Sequence, residues 1–356
     1  MTSIHTDFFK DLKVIELASV LAGPSVGRFF AECGAEVIKV EPPEGGDVTR
    51  SWKLKGETGK ISAYYASVNA GKSIKYLNIK DASDRLNLDA LLEDADVVIM
   101  NFRMASAEKL ELLPEQLRKK YPKLIIAQLD AFSEEDSRPA YDIVLQAEAG
   151  YLSMCGTANS PARLPVAFID VLAGHQLKEG ILMALIRKLK ENDGSIVKVN
   201  LLESAIGALM NQASNYLMQN HLSGRMGTLH PNIAPYGECF LTSDGKEIVL
   251  AVGNDKQFHA LLSALKLDAL SNSASYMDNT SRVKNREALK LELQPAILKY
   301  SRVELQKLFR NANVPYGSIL GLDEVLKGDG KSLIHEEYIE GEKAVSLKNV
   351  NLNLLK

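Results

Sequence analysis

Cysteine is scarce in this sequence: Cys33, Cys155 and Cys239 are far apart and show no CxxC spacing. That excludes a disulfide framework and a cysteine zinc site, and it reads as the reduced thiols of a cytoplasmic protein. Charge of either sign is not in excess. With 42 Lys and Arg against 45 Asp and Glu, the net charge of −3 gives no reason to expect nucleic acid or a membrane surface as partner. No apolar run approaches transmembrane length, and residues 1–10 are acidic and polar rather than an apolar signal region, so a soluble chain is expected. A GxGxxG after the first apolar run is missing, which removes the main support for dinucleotide binding. A GxSxG elbow and metal-ligand histidine spacing are missing too; His230 and His259 stand alone. Serine hydrolysis and metal catalysis are therefore not expected.

What is present is an ordinary globular composition, 46% hydrophobic and 24% charged over 356 residues, enough for one large domain and a smaller one. Short apolar runs at 13–17, 36–40, 73–77, 97–100 and 124–129 read as strands. Helical spacing lies between them at 26–33, 86–93 and 114–121. This alternation predicts a large Rossmann-like open parallel sheet. A long helix is expected over 171–190 and another over about 200–218, then a glycine-containing linker at 222–232. Beyond it, a hairpin turning at Ser243-Asp244-Gly245, helices near 256–266, 283–299 and 302–312, and a strand near 317–320 predict a smaller α+β unit. The expected domains are residues 1–218, joined by 331–356, and residues 225–330.

Several residues have types and places suited to chemistry. Asp170 follows the strand-like run 165–169 and precedes the long helix. Its plain role is a helix N-cap, but a carboxylate at such a junction, beside a positive helix end that keeps it ionised, is also placed as a nucleophile. Ala22-Gly23-Pro24 begins a helix well and leaves amides free for an anion or a thioester oxygen. Asn101-Phe102-Arg103 follow a strand end, where ligands of open α/β sheets collect, and offer an amide, an aromatic face and a guanidinium to a nucleotide. Lys39, Lys72, Lys80 and Lys109 read as solvated lysines, some of which could meet phosphate. Tyr141-Asp142 is either a hydrogen-bonded core pair or an acyl-orienting pair. His175, just over a helical turn beyond Asp170, could form a dyad with it, although a structural histidine is the plainer reading.

Taken in order, these segments resemble the class III CoA-transferase (CaiB/BaiF) family, which contains formyl-CoA and carnitine-CoA transferases and α-methylacyl-CoA racemase. The matching pieces are Val14-Ile15-Glu16-Leu17 with Ala22-Gly23-Pro24, Gly34 through Glu41, and Gly46-Asp47-Val48-Thr49-Arg50. They continue with Asn69-Ala70-Gly71-Lys72-Ser73, Asn101-Phe102-Arg103, Ala140-Tyr141-Asp142, Asp170 with Gly174 and Gly180 through Leu185, and His230 through Tyr236.

The resemblance implies that Asp170 attacks an acyl-CoA thioester to give an enzyme-bound anhydride. It implies that CoA is met by Leu21, Ala22, Leu77, Lys80, Asn101, Phe102, Arg103, Lys109, Tyr141 and Asp142. CoA and acyl-CoA would be substrates beside a carboxylic acid, no cofactor or metal would be bound permanently, and the protein would be an interlocked homodimer. Three departures refine this. Leu21 stands where formyl-CoA transferase has glutamine, which makes formyl or oxalyl groups less expected. Leu21, Met154 and the small residues about Gly23 suggest an apolar acyl pocket. Tyr141 stands where the racemase branch has histidine, and a phenol, ordinarily near 10, is a poor base at neutral pH. The chain also ends sooner than the family usually does. An α-substituted acyl-CoA racemase or epimerase and a non-catalytic CoA-binding paralogue remain the alternatives.

Overall fold

Val97–Met100 is an unbroken apolar run and is buried at every residue, as a central strand covered on both faces must be. It is β4 of a six-stranded sheet in the computed structural model, which describes residues 7–133, 136 and 138–351. Residues 1–6 of the stretch read for a signal, and 352–356 of the C-terminal segment, lie outside the described residues. The other strands are β1 (Lys13–Glu16), β2 (Glu36–Glu41), β3 (Ser73–Tyr76), β5 (Ile125–Asp130) and β6 (Ser195–Asn200). Their order is β3-β2-β1-β4-β5-β6, with every neighbouring pair parallel. The expected α/β fold with an open parallel sheet is thus observed.

Helices cover both faces. They are α1 (Ala22–Glu32), α2 (Ala63–Asn69), α3 (Ala82–Glu93), α4 (Met104–Lys109), α5 (Pro114–Lys120), α6 (Asp142–Glu148), α7 (Phe168–Glu191), α8 (Leu201–Gly207) and α9 (Met210–Gln219). Alternation along β4 sorts the two cores: Val97 and Ile99 pack with Val26 and Phe30 of α1 and Leu177 and Ile181 of α7. Val98 and Met100 pack on the other face with Leu88 and Leu92 of α3 and Leu117 of α5. Each such buried side chain contributes about 1.5–3 kcal/mol. Two glycines let α7 sit close to its neighbours. A Cβ at Gly174 would lie 2.7 Å from Ser25 Oγ and 3.1 Å from the Ala22 carbonyl oxygen, and one at Gly180 would lie 2.5 Å from Val197 Cγ1.

Some expectations need correction. The run 165–169 is not a strand, because α7 already begins at Phe168. The helical stretch near 200–218 is broken between α8 and α9, where Met210 takes φ 36°. Strand β6 has no counterpart in the sequence reading. The segment 334–347 forms an antiparallel hairpin, Ile334–Ile339 with Glu342–Leu347.

The chain divides into two units. One holds the parallel sheet and comprises the chain up to Tyr151, Arg163–Leu217 and the residues from Gly330 onward. The other, Leu152–Ala162 with Met218–Asp329, contains an antiparallel sheet of β7 (Tyr236–Leu241), β8 (Glu247–Ala251) and β9 (Tyr316–Ser318). Gly245 takes φ 70° in the β7–β8 turn, as the Asp-Gly pair requires. Phe240, Leu250, Phe258, Leu293 and Phe309 are buried together in its core. No described helix is long and apolar enough to cross a membrane.

Candidate functional site

The strand order reverses between β1 and β4, and open α/β sheets leave a crevice beyond the carboxyl ends at such a point. Here the connections after β1 and β4 border a cleft of about 560 Å³ lined by Leu77, Lys80, Asn101, Phe102 and Arg103 among others. Beside it is a cavity of about 330 Å³ lined by Leu21, Ala22, Asn101, Arg103, Arg138, Tyr141 and Asp170. Ser19, Asn101 and Arg103 line both spaces, so the two adjoin. Nine of the eleven residues to which the resemblance gives a catalytic or CoA-binding role therefore meet in one region. Lys109 is exposed on α4 and lines neither space, and Asp142 lines neither but touches Asp170 through its backbone.

Asp170 is 8% exposed in the first turn of α7, and the N-cap position belongs to Ala167, which offers no side-chain bond. The capping role expected of Asp170 is taken by Asp142 from α6. Asp142 Oδ1 accepts the Ile169 amide at 2.6 Å and the Asp170 amide at 3.4 Å. Gln146 completes the arrangement, donating to Asp142 Oδ2 and accepting the Leu164 amide at 3.0 Å. Burial, followed by the charge of Asp142, pushes the Asp170 carboxyl up to about 7. Against the expectation that the helix end favours an ionised Asp170, burial and a second carboxylate act against ionisation. His175 is exposed, and no hydrogen bond joins it to Asp170 among the described residues.

The turn between β1 and α1 is held from two sides. Asn101 accepts the Ser19 amide at 3.1 Å and donates to the Ser19 carbonyl at 3.0 Å. Asp47 Oδ2 accepts the Val20 amide at 3.2 Å. Val20 sits at φ 74°, a conformation that costs a β-branched residue roughly 1–3 kcal/mol. Leu21, the N-cap of α1, supplies no side-chain bond to the first amides of that helix.

Behind the turn lies a buried charge network. Lys39 Nζ reaches Glu16 at 2.9 Å and Asp47 at 3.1 Å, and Lys72 Nζ reaches both Glu16 oxygens at 2.9 and 2.7 Å. Neither lysine is a solvated phosphate ligand. Burial pulls Lys72 down to about 7 despite the attraction of Glu16. Burial opposes ionisation of Asp47, but Lys39 and the Thr49 hydrogen bonds hold its carboxyl below the ordinary range.

Arg103 is exposed, and its guanidinium makes no hydrogen bond or ion pair among the described residues. Arg138, by contrast, pairs with Asp136 at 2.8 Å and Glu148 at 3.0 Å while lying over the Phe132 ring.

Two aromatic residues escaped the sequence reading. Trp52 contacts Tyr64 edge-on at 5.1 Å and Tyr141 at 6.0 Å. Burial, then the charges of Asp170, Asp142 and Asp47, push the Tyr64 phenol up to about 12, so it is neutral beside the two carboxylates. A signal existed in part: Trp52 is the one tryptophan of the chain and follows the Gly46-Asp47-Val48-Thr49-Arg50 segment closely. Among the described residues, no three His, Cys, Asp or Glu side chains are grouped as a metal ion would need.

Residues 9–342 match the sequence profile described as CoA-transferase family III. The chain is 35% identical over 323 residues to a succinate–glutarate CoA-transferase of Agrobacterium fabrum, covering 88% of this chain and 80% of that one. It is 33% identical to the human succinyl-CoA:glutarate CoA-transferase, covering 88% and 72% of the two chains. With an acetyl-CoA:oxalate CoA-transferase of Acetobacter aceti the identity is 30%, over 89% and 82%. Among solved structures, a CaiB/BaiF family protein from Brucella suis superposes with a TM-score of 0.83 at 33% identity, covering 98% of this chain and 92% of that one.

Proposed function

Because the chain belongs to CoA-transferase family III, we propose that it moves CoA from a short dicarboxylic acyl-CoA to a second carboxylic acid through a covalent intermediate on Asp170. That it is a CoA-transferase rests on its relatives. The observation that carries the finer reading is the buried Asp170 carboxyl lining a cavity that adjoins the larger cleft at Ser19, Asn101 and Arg103.

In this reading the ionised Asp170 attacks the thioester carbonyl carbon, and the CoA thiolate leaves with the electrons of the C–S bond. A thiol of ordinary pKa about 8.5 leaves readily enough for a carboxylate nucleophile. The product is a mixed anhydride between Asp170 and the donor acyl group. Thiolate then attacks the aspartyl carbonyl, expels the donor acid and leaves an aspartyl–CoA thioester. The acceptor carboxylate attacks that thioester, and the released thiolate takes the acceptor acyl group from the second anhydride, restoring Asp170. Each tetrahedral intermediate places a negative oxygen near Asp170, where the uncapped amides at the start of α1 suit it.

Arg103 would neutralise phosphate or carboxylate. Leu77, Lys80 and Phe102 would line the path of CoA, and Tyr141 the acyl end; Lys109, Leu21 and Ala22 complete the proposed CoA set, while Asn101 and Asp142 act on the backbone around it. The dicarboxylic preference replaces the apolar-pocket expectation. It is supported by the succinate, glutarate and oxalate in the relatives' names and by the Arg103 guanidinium on the Asp170 cavity. A homodimer is part of the proposal, supported by the exposed apolar side chains of Met183 and Leu189 on α7 and Leu217 on α9. A cytoplasmic location is supported by three free cysteines.

The test is to incubate the protein with succinyl-CoA, with and without glutarate, and map adducts by peptide mass spectrometry. An acyl or CoA adduct on the Asp170 peptide, together with glutaryl-CoA formation, is expected. Turnover with no adduct there would overturn the nucleophile. Solvent deuterium appearing at the acyl α-carbon, with no transfer, would favour the epimerase. CoA binding without either reaction would favour the non-catalytic paralogue.

A further inference from the structure

Asn101 faces both the larger cleft and the Asp170 cavity, yet its amide is turned toward the protein's own backbone. It closes a reciprocal pair with Ser19, accepting at 3.1 Å and donating at 3.0 Å, across 82 residues of sequence. The next residue, Val20, takes φ 74°, where branching at Cβ makes the conformation unfavourable unless something holds it. Its amide is held by Asp47 at 3.2 Å. Asp47 is itself immobilised by Lys39 at 3.1 Å, the Thr49 amide at 3.0 Å and the Thr49 hydroxyl at 2.7 Å. On the far side of the turn, α1 is locked against α7, because there is no room for even a Cβ between Gly174 and Ser25. The joint between these fixed parts is Ser19–Val20, and it leads directly into Leu21 and Ala22.

We propose that Asn101 and Asp47 are positioning residues that clamp the strained Ser19–Val20 turn, and so hold the Leu21 and Ala22 amides at the Asp170 cavity. This rests on the reading of Asp170 as the nucleophile, and it gives Asn101 a role through the backbone rather than through contact with CoA. If Asn101 served mainly as a CoA ligand, its loss would weaken binding. If it serves as a clamp, its loss disorders a group that acts in the transition state, and turnover falls while binding persists.

The decisive comparison uses the full-length wild type, Asn101→Ala, the isosteric Asn101→Asp, and Asn101→Ala combined with Val20→Gly. Steady-state kinetics with succinyl-CoA and glutarate are measured beside CoA binding by calorimetry and amide hydrogen exchange over residues 18–24. For Asn101→Ala the clamp predicts a fall in kcat on the order of 100-fold, as loss of an aligned oxyanion donor produces. KM and the CoA dissociation constant should stay within about threefold, and the 18–24 amides should exchange faster. Asn101→Asp keeps the acceptor for Ser19 N–H but sets a carboxylate oxygen against the Ser19 carbonyl, and falls at least as far as Asn101→Ala. Adding Val20→Gly to Asn101→Ala restores part of kcat, because glycine adopts the left-handed turn without strain.

A rise in KM and dissociation constant with kcat preserved would overturn the clamp, as would unchanged exchange at 18–24 or no recovery with Val20→Gly. If wild type forms no Asp170 adduct, the nucleophile reading fails by itself, and the exchange comparison still decides whether the clamp exists.

Discussion

Replacing Asp170 by asparagine separates the chemical role of this residue from its structural consequence. The side chain keeps its size, so packing in the first turn of α7 is preserved, but it can neither ionise nor attack. Turnover and adduct formation should both be lost. Stability should move the other way. The Asp170 carboxyl is raised from 3.8 to about 7, mainly by burial and then by Asp142. An acid raised on folding makes the native state hold more protons than the unfolded chain between those two values, so stability falls as pH climbs from about 4 to about 7. The penalty is absent below that window and complete above it. At about 1.36 kcal/mol per tenfold step in acidity, its ceiling is on the order of 4 kcal/mol. Asp170→Asn carries no such penalty. Scanning calorimetry at pH 5, 6, 7 and 8 should therefore show a Tm advantage of the variant that widens with pH. About 2–4 °C per kcal/mol is the scale for chains of about 150–250 residues, and a longer chain shifts less. A variant equally displaced at every pH, or one losing stability as pH rises, would refute the assignment of Asp170 as a desolvated acid. The same titration should appear in wild-type kcat, rising tenfold per pH step below about 7 and levelling above it.

Three further outcomes follow from neighbouring groups. Glu16→Gln, measured by urea unfolding, should cost about 3–5 kcal/mol, because Lys39 and Lys72 then share too little buried counter-charge. Arg103→Ala should leave Tm unchanged, since the guanidinium has no partner to lose among the described residues. It should raise KM for acyl-CoA at least 10-fold, matching the loss of one hydrogen bond to a charged group. Tyr64→Phe should leave the kcat–pH midpoint unmoved, because burial and Asp142 set the Asp170 carboxyl and no hydrogen bond joins the Tyr64 hydroxyl to it among the described residues; a midpoint shifted upward would place Tyr64 in the reacting centre.

What could be read from the sequence was local. Apolar runs such as 97–100 and 124–129 announce buried strands, and the Ser243-Asp244-Gly245 turn announces its hairpin. Strand β6 escaped because Ser195–Asn200 interleaves polar residues and is only half-buried, as an edge strand can be. The run 165–169 misled for the opposite reason. A short apolar stretch has no periodicity to separate strand from helix, and Ala167 gives no capping signal. The cap is supplied by Asp142, 27 residues before Ile169 in sequence, so no local pattern could reveal it. Asn101 shows the same limit. Its position beyond a strand end was legible, but its engagement with Ser19 was not. Lys39 and Lys72 look like surface lysines until the fold brings Glu16 between them.

Asp142 also explains why Asp170 can be both buried and reactive. Had Asp170 been the helix cap, its oxygens would be spent on backbone amides and its acidity increased, giving a stable but weak nucleophile. By taking the amides of Ile169 and Asp170 itself, Asp142 leaves the Asp170 oxygens facing the cavity and raises their basicity through its charge. A carboxylate near 7 is a better nucleophile than one near 4, and near neutral pH a substantial fraction is still ionised. The helix start thus divides its labour between two acids, one bound to the backbone and one lining the cavity, and the pKa of the second is raised first by burial and then by the charge of the first.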